Sequence, residues 1–276
     1  MTTGPSSPIG ILDSGVGGLS ILRALRRELP AESLIYIADQ AHLPYGPRPL
    51  AEIRTFVQHI TTFLLAHEAK LIVIACNAAS AAGLHDLRAM FPDVPFVGME
   101  PAVKTAAAAT RSGAIGVLTT AATANGTLYA SVRERFAANV HVETVICPEL
   151  VEAVEANATS PAALRPLFER VLAPALARGI DQLVLACTHF PFALEALQAF
   201  VGPQVAIIDP SPAIARQARR VLADRQLLAP EATRPTLRYY TTGDASRFST
   251  LASNLLGEPI QAQALRWAGE QLLAGD

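Results

Sequence analysis

Short apolar runs and longer amphipathic stretches alternate along the chain. Nine runs rich in leucine, isoleucine and valine predict buried β-strands: residues 9–12, 34–38, 71–75, 95–99, 114–118, 140–146, 182–186, 204–209 and 237–242. Five intervening stretches place apolar residues at helical spacing: residues 19–29, 50–68, 79–90, 162–177 and 213–225. Because this alternation is typical of parallel sheets with helices on both faces, the pattern predicts an α/β fold.

The residues directly after the predicted strands are the candidate functional residues. In open parallel sheets, ligands bind beyond the carboxyl ends of the strands. Four of these ends carry polar or nucleophilic side chains: Asp13-Ser14, Cys76-Asn77, Thr119-Thr120 and Cys187-Thr188-His189.

Two of the four strand ends resemble each other. Residues 72–77, IVIACN, align with residues 183–188, LVLACT, and a helix-forming stretch follows each segment. We interpret this similarity as a weak internal duplication. Two similar halves that face each other would place Cys76 and Cys187 on opposite sides of one cleft.

Two opposed thiols suit the inversion of a stereocentre. This reaction removes a proton from carbon and returns one on the opposite face, so it needs an acid-base group on each side. Cys76 and Cys187 both precede predicted helices, whose N-termini favour a thiolate, and His189 follows the second cysteine by two positions. Cys147 has no matched partner, and we interpret it as a packing residue.

Composition limits the class of protein further. The chain has 276 residues, of which 51% are hydrophobic, but no apolar run approaches the roughly 20 residues of a membrane span. The first residues lack the basic and apolar regions of a signal peptide, so we expect a cytoplasmic protein with no membrane partner. A net charge of −2 without a basic face predicts no nucleic-acid partner and favours a small-molecule substrate. Three cysteines without a secretion signal predict reduced thiols.

Other kinds of site fit the residues less well. Cys187 and His189 have no second close Cys/His pair, so we expect no metal site, and the cysteines lack the spacing of a redox pair. The segment DSGVGGLS matches neither phosphate-binding glycine motif, and its glycines predict a tight turn that brings Asp13 and Ser14 to the cleft. The chain has two lysines, at the wrong end of a strand and inside a helical stretch, so we expect no pyridoxal cofactor.

Taken together, the motifs resemble those of the glutamate racemases. The resemblance runs from about Gly10 to the C-terminal region and rests on DSGVGGLS, YIADQAHLPYGPRP, IACNAAS, VGMEPA, IGVLTTAATANGT, LACTHFPF, IIDPSPAIA and YYTTGDASRFS. It implies cofactor-independent interconversion of L-glutamate and D-glutamate, with Cys76 and Cys187 as the two bases. It also implies that the product supplies peptidoglycan synthesis.

The resemblance implies supporting roles around the two thiols. Asp13 would lie near the first cysteine and His189 near the second, and both would help to set thiol protonation. A glutamate after the CP pair of the middle segment would assist. By spacing this is Glu155, with Glu152 as the alternative.

The resemblance also implies a set of substrate-binding residues. Ten residues would hold the ammonium and the two carboxylates: Asp13, Ser14, Tyr45, Gly46, Cys76, Asn77, Thr120, Thr123, Cys187 and Thr188. Family members usually have threonine where this chain has Ala78, so a hydroxyl expected near the substrate is absent. That change bears on the preference for glutamate over aspartate.

The implied architecture is two doubly wound α/β domains with a pseudo-twofold relation and the active site in the cleft between them. The first domain would comprise residues 1–100 and 211–276 and carry Asp13 and Cys76, and the second would comprise residues 101–210 and carry Cys187 and His189. The family commonly forms homodimers, so a homodimer is expected.

Several alternatives stay open at this point. The chain could be an aspartate or other amino-acid racemase of the same superfamily, or a relative that binds an amino acid without turnover. A hydrolase with a single cysteine nucleophile would not need the second thiol. A secondary role as an inhibitor of another enzyme, such as a topoisomerase, is known for some relatives.

Overall fold

A computed structural model describes residues 3–269 and 271–275, and in this part of the chain strands and helices alternate as predicted. The strands are β1 Ile9–Asp13, β2 Leu34–Ala38, β3 Leu71–Ile74, β4 Phe96–Gly98, β5 Ala114–Thr119, β6 His141–Ile146, β7 Gln182–Ala186, β8 Ala206–Ile208, β9 Leu237–Thr241, β10 Ala262–Ala268 and β11 Gln271–Ala274. The α-helices are α1 Leu19–Glu28, α2 Leu50–Ala66, α3 Asn77–Met90, α4 Val103–Ala109, α5 Ala121–Ala124, α6 Thr127–Phe136, α7 Pro148–Glu155, α8 Pro161–Val171, α9 Ala173–Ala177, α10 Leu194–Val201, α11 Ser211–Asp224 and α12 Ala245–Leu256. All nine predicted strands are confirmed.

The strands form two sheets. The larger has seven strands in the order β11-β10-β9-β2-β1-β3-β4, and the smaller has four in the order β6-β5-β7-β8. All neighbouring strands are parallel except the hairpin of β10 and β11. Helices α1, α11 and α12 contribute to the core on one face of the larger sheet, and α2 and α3 to the core on the other. The predicted doubly wound α/β architecture is therefore confirmed.

The smaller sheet repeats the strand order of the larger one. The order β2-β1-β3-β4 recurs as β6-β5-β7-β8, so β3 and β7 occupy equivalent places. Cys76 follows β3 and Cys187 follows β7. The similarity of the two cysteine segments therefore extends to the topology of the sheets around them.

The fold differs from the sequence prediction in three respects. Helices α5, α6, α7 and α12 are not among the predicted helices. The helix predicted for residues 162–177 is divided into α8 and α9 at Leu172, because Pro174 has no N–H group with which to continue the helix. The hairpin of β10 and β11 was not predicted. Most residues of these strands are not buried, so their sequence shows no clear alternation of apolar and polar residues. In the described residues, no helix is both long and apolar enough to cross a membrane.

Candidate active site

The carboxyl ends of strands from both sheets meet at a cavity of about 280 Å³. Nine of the predicted site residues line it: Ser14, Tyr45, Gly46, Cys76, Asn77, Thr120, Cys187, Thr188 and His189. Ligand sites for drug-sized molecules usually begin at about 300 Å³, so this cavity suits a small metabolite.

Three predicted residues lie behind the lining, and each hydrogen-bonds a residue that is part of it. Asp13 is fully buried and accepts a hydrogen bond from Thr188 Oγ1 at 3.0 Å. Thr123 accepts one from Thr120 at 3.4 Å. Glu155 pairs with His189, as described below. In this geometry these three side chains orient cavity residues and do not themselves face the cavity.

Cys76 is the N-cap residue of α3 and is largely buried. Its Sγ lies 3.9 Å from Ser14 Oγ, and the N–H of Ala79 faces the sulfur. Burial and the nearby Asp13 carboxylate raise the pKa of the Cys76 thiol well above its usual value, despite these two donors. This corrects the expectation that the helix N-terminus favours the thiolate here: burial outweighs the helix.

Cys187 faces a buried charged pair. Its Sγ lies 3.8 Å from His189 Nδ1, and His189 Nε2 lies 2.8 Å from Glu155 Oε1. Burial alone would disfavour the imidazolium, but hydrogen bonds to Cys187 and Glu155 raise the pKa of His189 well above its usual value. Because its pKa is raised, His189 can remain protonated at neutral pH and donate to a thiolate. The element that follows Cys187 is a 3₁₀ helix, Phe190–Ala193, which leads into α10.

The two candidate glutamates of α7 have different surroundings. Glu155 accepts hydrogen bonds from the Val16 N–H at 2.8 Å and from Gln40 Nε2 at 3.2 Å, in addition to its contact with His189. Burial opposes its ionisation, yet the hydrogen bond and the charge of His189, followed by the Val16 and Gln40 donors, lower the pKa of Glu155 below its usual value. Glu152 is exposed and lines the cavity. Glu155 is thus the glutamate that contacts the histidine.

The glycines of DSGVGGLS allow the two halves to approach closely. A Cβ on Gly15 would collide with Glu155 Oε1, and one on Gly17 would collide with His189 Nδ1 and lie 2.6 Å from Thr188 Oγ1. Neither glycine has a positive φ. The predicted tight turn is present, since the Leu19 N–H donates to the Val16 carbonyl at 3.1 Å. The structure adds a second reason for the glycines: the other half of the molecule packs directly against this loop, which leaves no room for side chains.

Asn77 carries an unpaired amide into the cavity. Its Nδ2 and Oδ1 are both buried and have no hydrogen-bond partner among the residues that the structure describes. Since a buried amide without partners is costly, the side chain is arranged for a ligand that both accepts and donates. An amino acid, with its carboxylate and ammonium, has both functions. The neighbouring Ala78 adds only a methyl group to the lining.

The loop around Tyr45 and Gly46 closes the cavity between the sheets. The Tyr45 hydroxyl donates to Asp39 Oδ2 at 2.7 Å, and the Gly46 carbonyl accepts from the Ala122 N–H at 2.9 Å. Sequence reasoning missed most of the apolar lining: Pro44, Pro47, Ala121, Ile146, Pro148 and Val151.

Sequence reasoning also missed Asp39 and Gln40, which follow β2. The strand-end rule applied to β1, β3, β5 and β7 would have found this pair if it had been applied to β2.

Among residues 3–269 and 271–275, no group of three or more His, Cys, Asp or Glu side chains is placed to hold a metal ion.

Comparison with known proteins identifies relatives over nearly the whole chain. The profile of the family described as Asp/Glu/Hydantoin racemase matches residues 9–218. A glutamate racemase of Ectopseudomonas mendocina is 48% identical over 255 residues, which cover 92% of this chain and 97% of the relative.

Solved structures agree with the sequence relatives. A Francisella tularensis glutamate racemase in complex with D-glutamate superimposes with a TM-score of 0.83 at 29% identity, over 96% of this chain and 98% of that chain. An Escherichia coli glutamate racemase in complex with L-glutamate and the activator UDP-MurNAc-Ala gives a TM-score of 0.80 at 30% identity, over 98% of this chain and 100% of that chain.

Proposed function

Because the chain belongs to the Asp/Glu/hydantoin racemase family and is an amino-acid racemase, we propose that it interconverts L- and D-glutamate with Cys76 and Cys187 as the two bases and without a cofactor. One observation carries this proposal: two cysteines from equivalent strands of a repeated sheet line a single cavity. The two structural relatives described above hold the two enantiomers of glutamate, one each, which supports glutamate as the substrate.

In the first half-reaction, the Cys187 thiolate takes the α-proton of the enantiomer whose α-hydrogen faces it. The protonated His189, held by Glu155, supports this thiolate before the substrate is deprotonated. The carbon–hydrogen bond breaks, a sulfur–hydrogen bond forms on Cys187, and the electron pair stays on the α-carbon. Donors that line the cavity, among them the unpaired amide of Asn77, stabilise the carboxylate next to this carbanion.

In the second half-reaction, the Cys76 thiol gives its proton to the opposite face of the α-carbon. Burial keeps this thiol protonated, which suits the role of acid in this direction. The product is the other enantiomer, and Cys76 is left as the thiolate. The reverse reaction starts from that state, and proton exchange with water returns the pair to the first state.

We further propose the setting in which the reaction takes place. The activator in the Escherichia coli structure contains MurNAc, a peptidoglycan sugar, which supports a role in supplying D-glutamate for peptidoglycan synthesis in the cytoplasm. We propose two domains, residues 1–100 with 211–276 and residues 101–210, and the separation of the strands into two sheets supports this division. A homodimer is the proposed assembly.

Isotope exchange tests the mechanism. The reduced protein, without added cofactor, is given L-glutamate and separately L-aspartate in D₂O, while optical rotation and α-proton loss are followed. We expect L-glutamate to lose its rotation and deuterium to enter mainly the newly formed D-enantiomer, because different thiols remove and return the proton.

Cysteine variants complete the test. Cys76→Ser and Cys187→Ser should each reduce racemisation by about 10³-fold or more, since each removes one acid-base group. Cys147→Ser is the matched control and should retain activity, because Cys147 does not line the cavity. Racemisation that survives either of the first two changes would exclude the two-base mechanism. Turnover of aspartate alone would instead assign a different substrate.

A further inference from the structure

We propose that Gln40 is a positioning residue. It belongs to the half built on the larger sheet, and it holds the carboxylate of Glu155 against His189, both of which belong to the half built on the smaller sheet. The inference rests on the proposed function, because His189 matters for racemisation through its contact with Cys187. Gln40 lies two residues after β2 of the larger sheet, whereas Glu155 ends α7, which follows β6 of the smaller one.

The two carboxylate oxygens of Glu155 accept hydrogen bonds from different partners. Oε1 accepts from His189 Nε2 and from the Val16 N–H, both at 2.8 Å. Oε2 faces Gln40 Nε2 at 3.2 Å. Since two contacts on Oε1 alone would leave the carboxylate free to rotate, the contact to Oε2 fixes its plane relative to the imidazole.

The orientation of the Gln40 amide is itself fixed. Thr241 Oγ1 donates to Gln40 Oε1 at 2.9 Å, and the Gly243 N–H donates to the same threonine oxygen at 3.0 Å. A Cβ on Gly243 would lie 2.9 Å from Gln40 Cβ and 3.0 Å from Oε1, so the missing side chain at this position leaves room for the glutamine. With its oxygen occupied by a donor, Gln40 can present only its NH₂ group to Glu155.

Other charged or titratable groups lie near the pair. These are Asp13 and Tyr36 from the larger sheet, Cys187 after β7, Glu152 on the same helix, and Asp244 and Arg247, which line a neighbouring cavity together with Gln40 and Glu155. Gln40 differs from them because its amide does not titrate. It favours ionised Glu155 without bringing a charge that would compete for the imidazolium.

The sign of the effect follows from this arrangement. Loss of the Gln40 donor makes the ionised form of Glu155 less favourable, and a weaker carboxylate stabilises the imidazolium of His189 less. His189 then loses its proton at a lower pH. Because the thiolate of Cys187 needs that proton donor, activity should decline at a lower pH on the alkaline side.

The test compares Gln40→Leu with the parent protein. We expect the alkaline limb of the pH profile of kcat/KM to move to lower pH by about 0.5–1 unit, with a fall in kcat larger than any change in KM. Thr241→Val, which frees the Gln40 amide but does not touch Glu155, should move the limb in the same direction by less. Gln198→Leu is the matched control: Gln198 donates to a backbone carbonyl on the exposed side of α10, and the profile should not move.

A second measurement separates this inference from the proposed function. The imidazole titration of His189 is followed by NMR, with the signal assigned from a His189→Asn spectrum. A lower titration midpoint in Gln40→Leu supports the inference even if the protein does not racemise glutamate. An unchanged midpoint in a folded Gln40→Leu protein overturns it, even if glutamate is racemised. If Gln40→Leu does not fold, the same comparison is made with Thr241→Val.

Discussion

At the scale of single residues, Gly17 is important for the site because it has no side chain. His189 and Thr188, from the opposite half of the molecule, occupy the space where a Cβ would point. The sequence shows that a glycine is present but not what lies against it, because the neighbouring residues are about 170 positions away along the chain.

Gly17→Ala is therefore expected to reduce activity strongly. The added methyl group would displace His189 or Thr188, and the distance from Cys187 to its proton donor would increase. We expect kcat to fall by about 10²-fold, as misplacement of a catalytic group by about 1 Å can do. Steady-state kinetics and circular dichroism would show whether activity falls while the fold is retained.

Gly83→Ala serves as the control for that change. Gly83 lies inside α3, and a Cβ there would make an ordinary contact with Val57 Cγ1 at 3.6 Å. Alanine is favoured over glycine inside a helix by about 1 kcal/mol, so this variant should be at least as stable as the parent and fully active. Equal activity of the two alanine variants would contradict the role assigned to Gly17.

Individual site residues differ in how far the sequence alone could predict them. Cys76, Asn77 and Thr188 could be predicted because each lies within three residues of the end of a strand, where α/β sheets place their ligands. The contact of Gln40 with Glu155 could not, because it depends on where α7 packs against the other sheet. The apolar lining, such as Val151, has the same composition as ordinary core and carries no distinguishing signal.

At the scale of elements, the C-terminal hairpin of β10 and β11 connects to the cavity. Trp267 of β10 donates its indole N–H to Asp39 Oδ1 at 2.8 Å, and the same carboxylate accepts from Tyr45 in the cavity lining. Asp39 is fully buried and also accepts from Thr242 at 2.8 Å. The hairpin thus helps to fix a cavity residue that lies more than 200 positions away along the chain.

Trp267→Phe should weaken both stability and substrate binding. The change keeps an aromatic ring but removes one donor to a buried carboxylate, so we expect the free energy of unfolding to fall by about 1–3 kcal/mol. Without the Trp267 donor, the Asp39 carboxylate is held less firmly, and Tyr45 in the cavity lining donates to that carboxylate. KM should therefore rise more than kcat falls. Urea unfolding followed by circular dichroism and steady-state kinetics measure the two effects.

Gln263→Ala on the same strand is the control, since its side chain is exposed. It should leave both the free energy of unfolding and KM nearly unchanged. A loss in the control as large as that in Trp267→Phe would show that the effect comes from the strand in general and not from the bond to Asp39.

At the scale of the whole molecule, the site exists because two repeats of one strand order are joined by polar contacts. Thr188 donates to Asp13, Ser20 Oγ donates to the Thr188 carbonyl at 3.0 Å, and the Val16 N–H donates to Glu155. The alternation of apolar runs was enough to predict each repeat, because strand and helix periods are local. The contacts between the repeats are not local, and no sequence period encodes them.

Burial of titratable groups makes the whole molecule sensitive to alkaline pH. Burial raises the pKa of Cys147 from its usual 9.0 to about 11 and that of Tyr239 from 10.0 to about 12, and it also raises the pKa of Cys76. In the unfolded chain these groups lose their protons near their usual pKa values, while the folded protein keeps them. The unfolded state then binds fewer protons, so stability falls as pH rises. The raised pKa of His189 acts in the same direction from about pH 6.5 upward.

The free energy of unfolding should therefore decline steadily between pH 8 and pH 11, and urea titrations across this range would measure the decline. Cys147 is fully buried, and its shift of about two pKa units corresponds to about 2–3 kcal/mol of that loss. Cys147→Ala leaves a small cavity and should be less stable at every pH, but its decline from pH 8 to pH 11 should be smaller than that of the parent by about this amount. The comparison uses the slope with pH and not the absolute stability, so the cavity does not affect it. Parallel curves for the two proteins would mean that Cys147 ionises in the folded state as readily as in the unfolded chain, and that its burial has no part in the alkaline loss of stability.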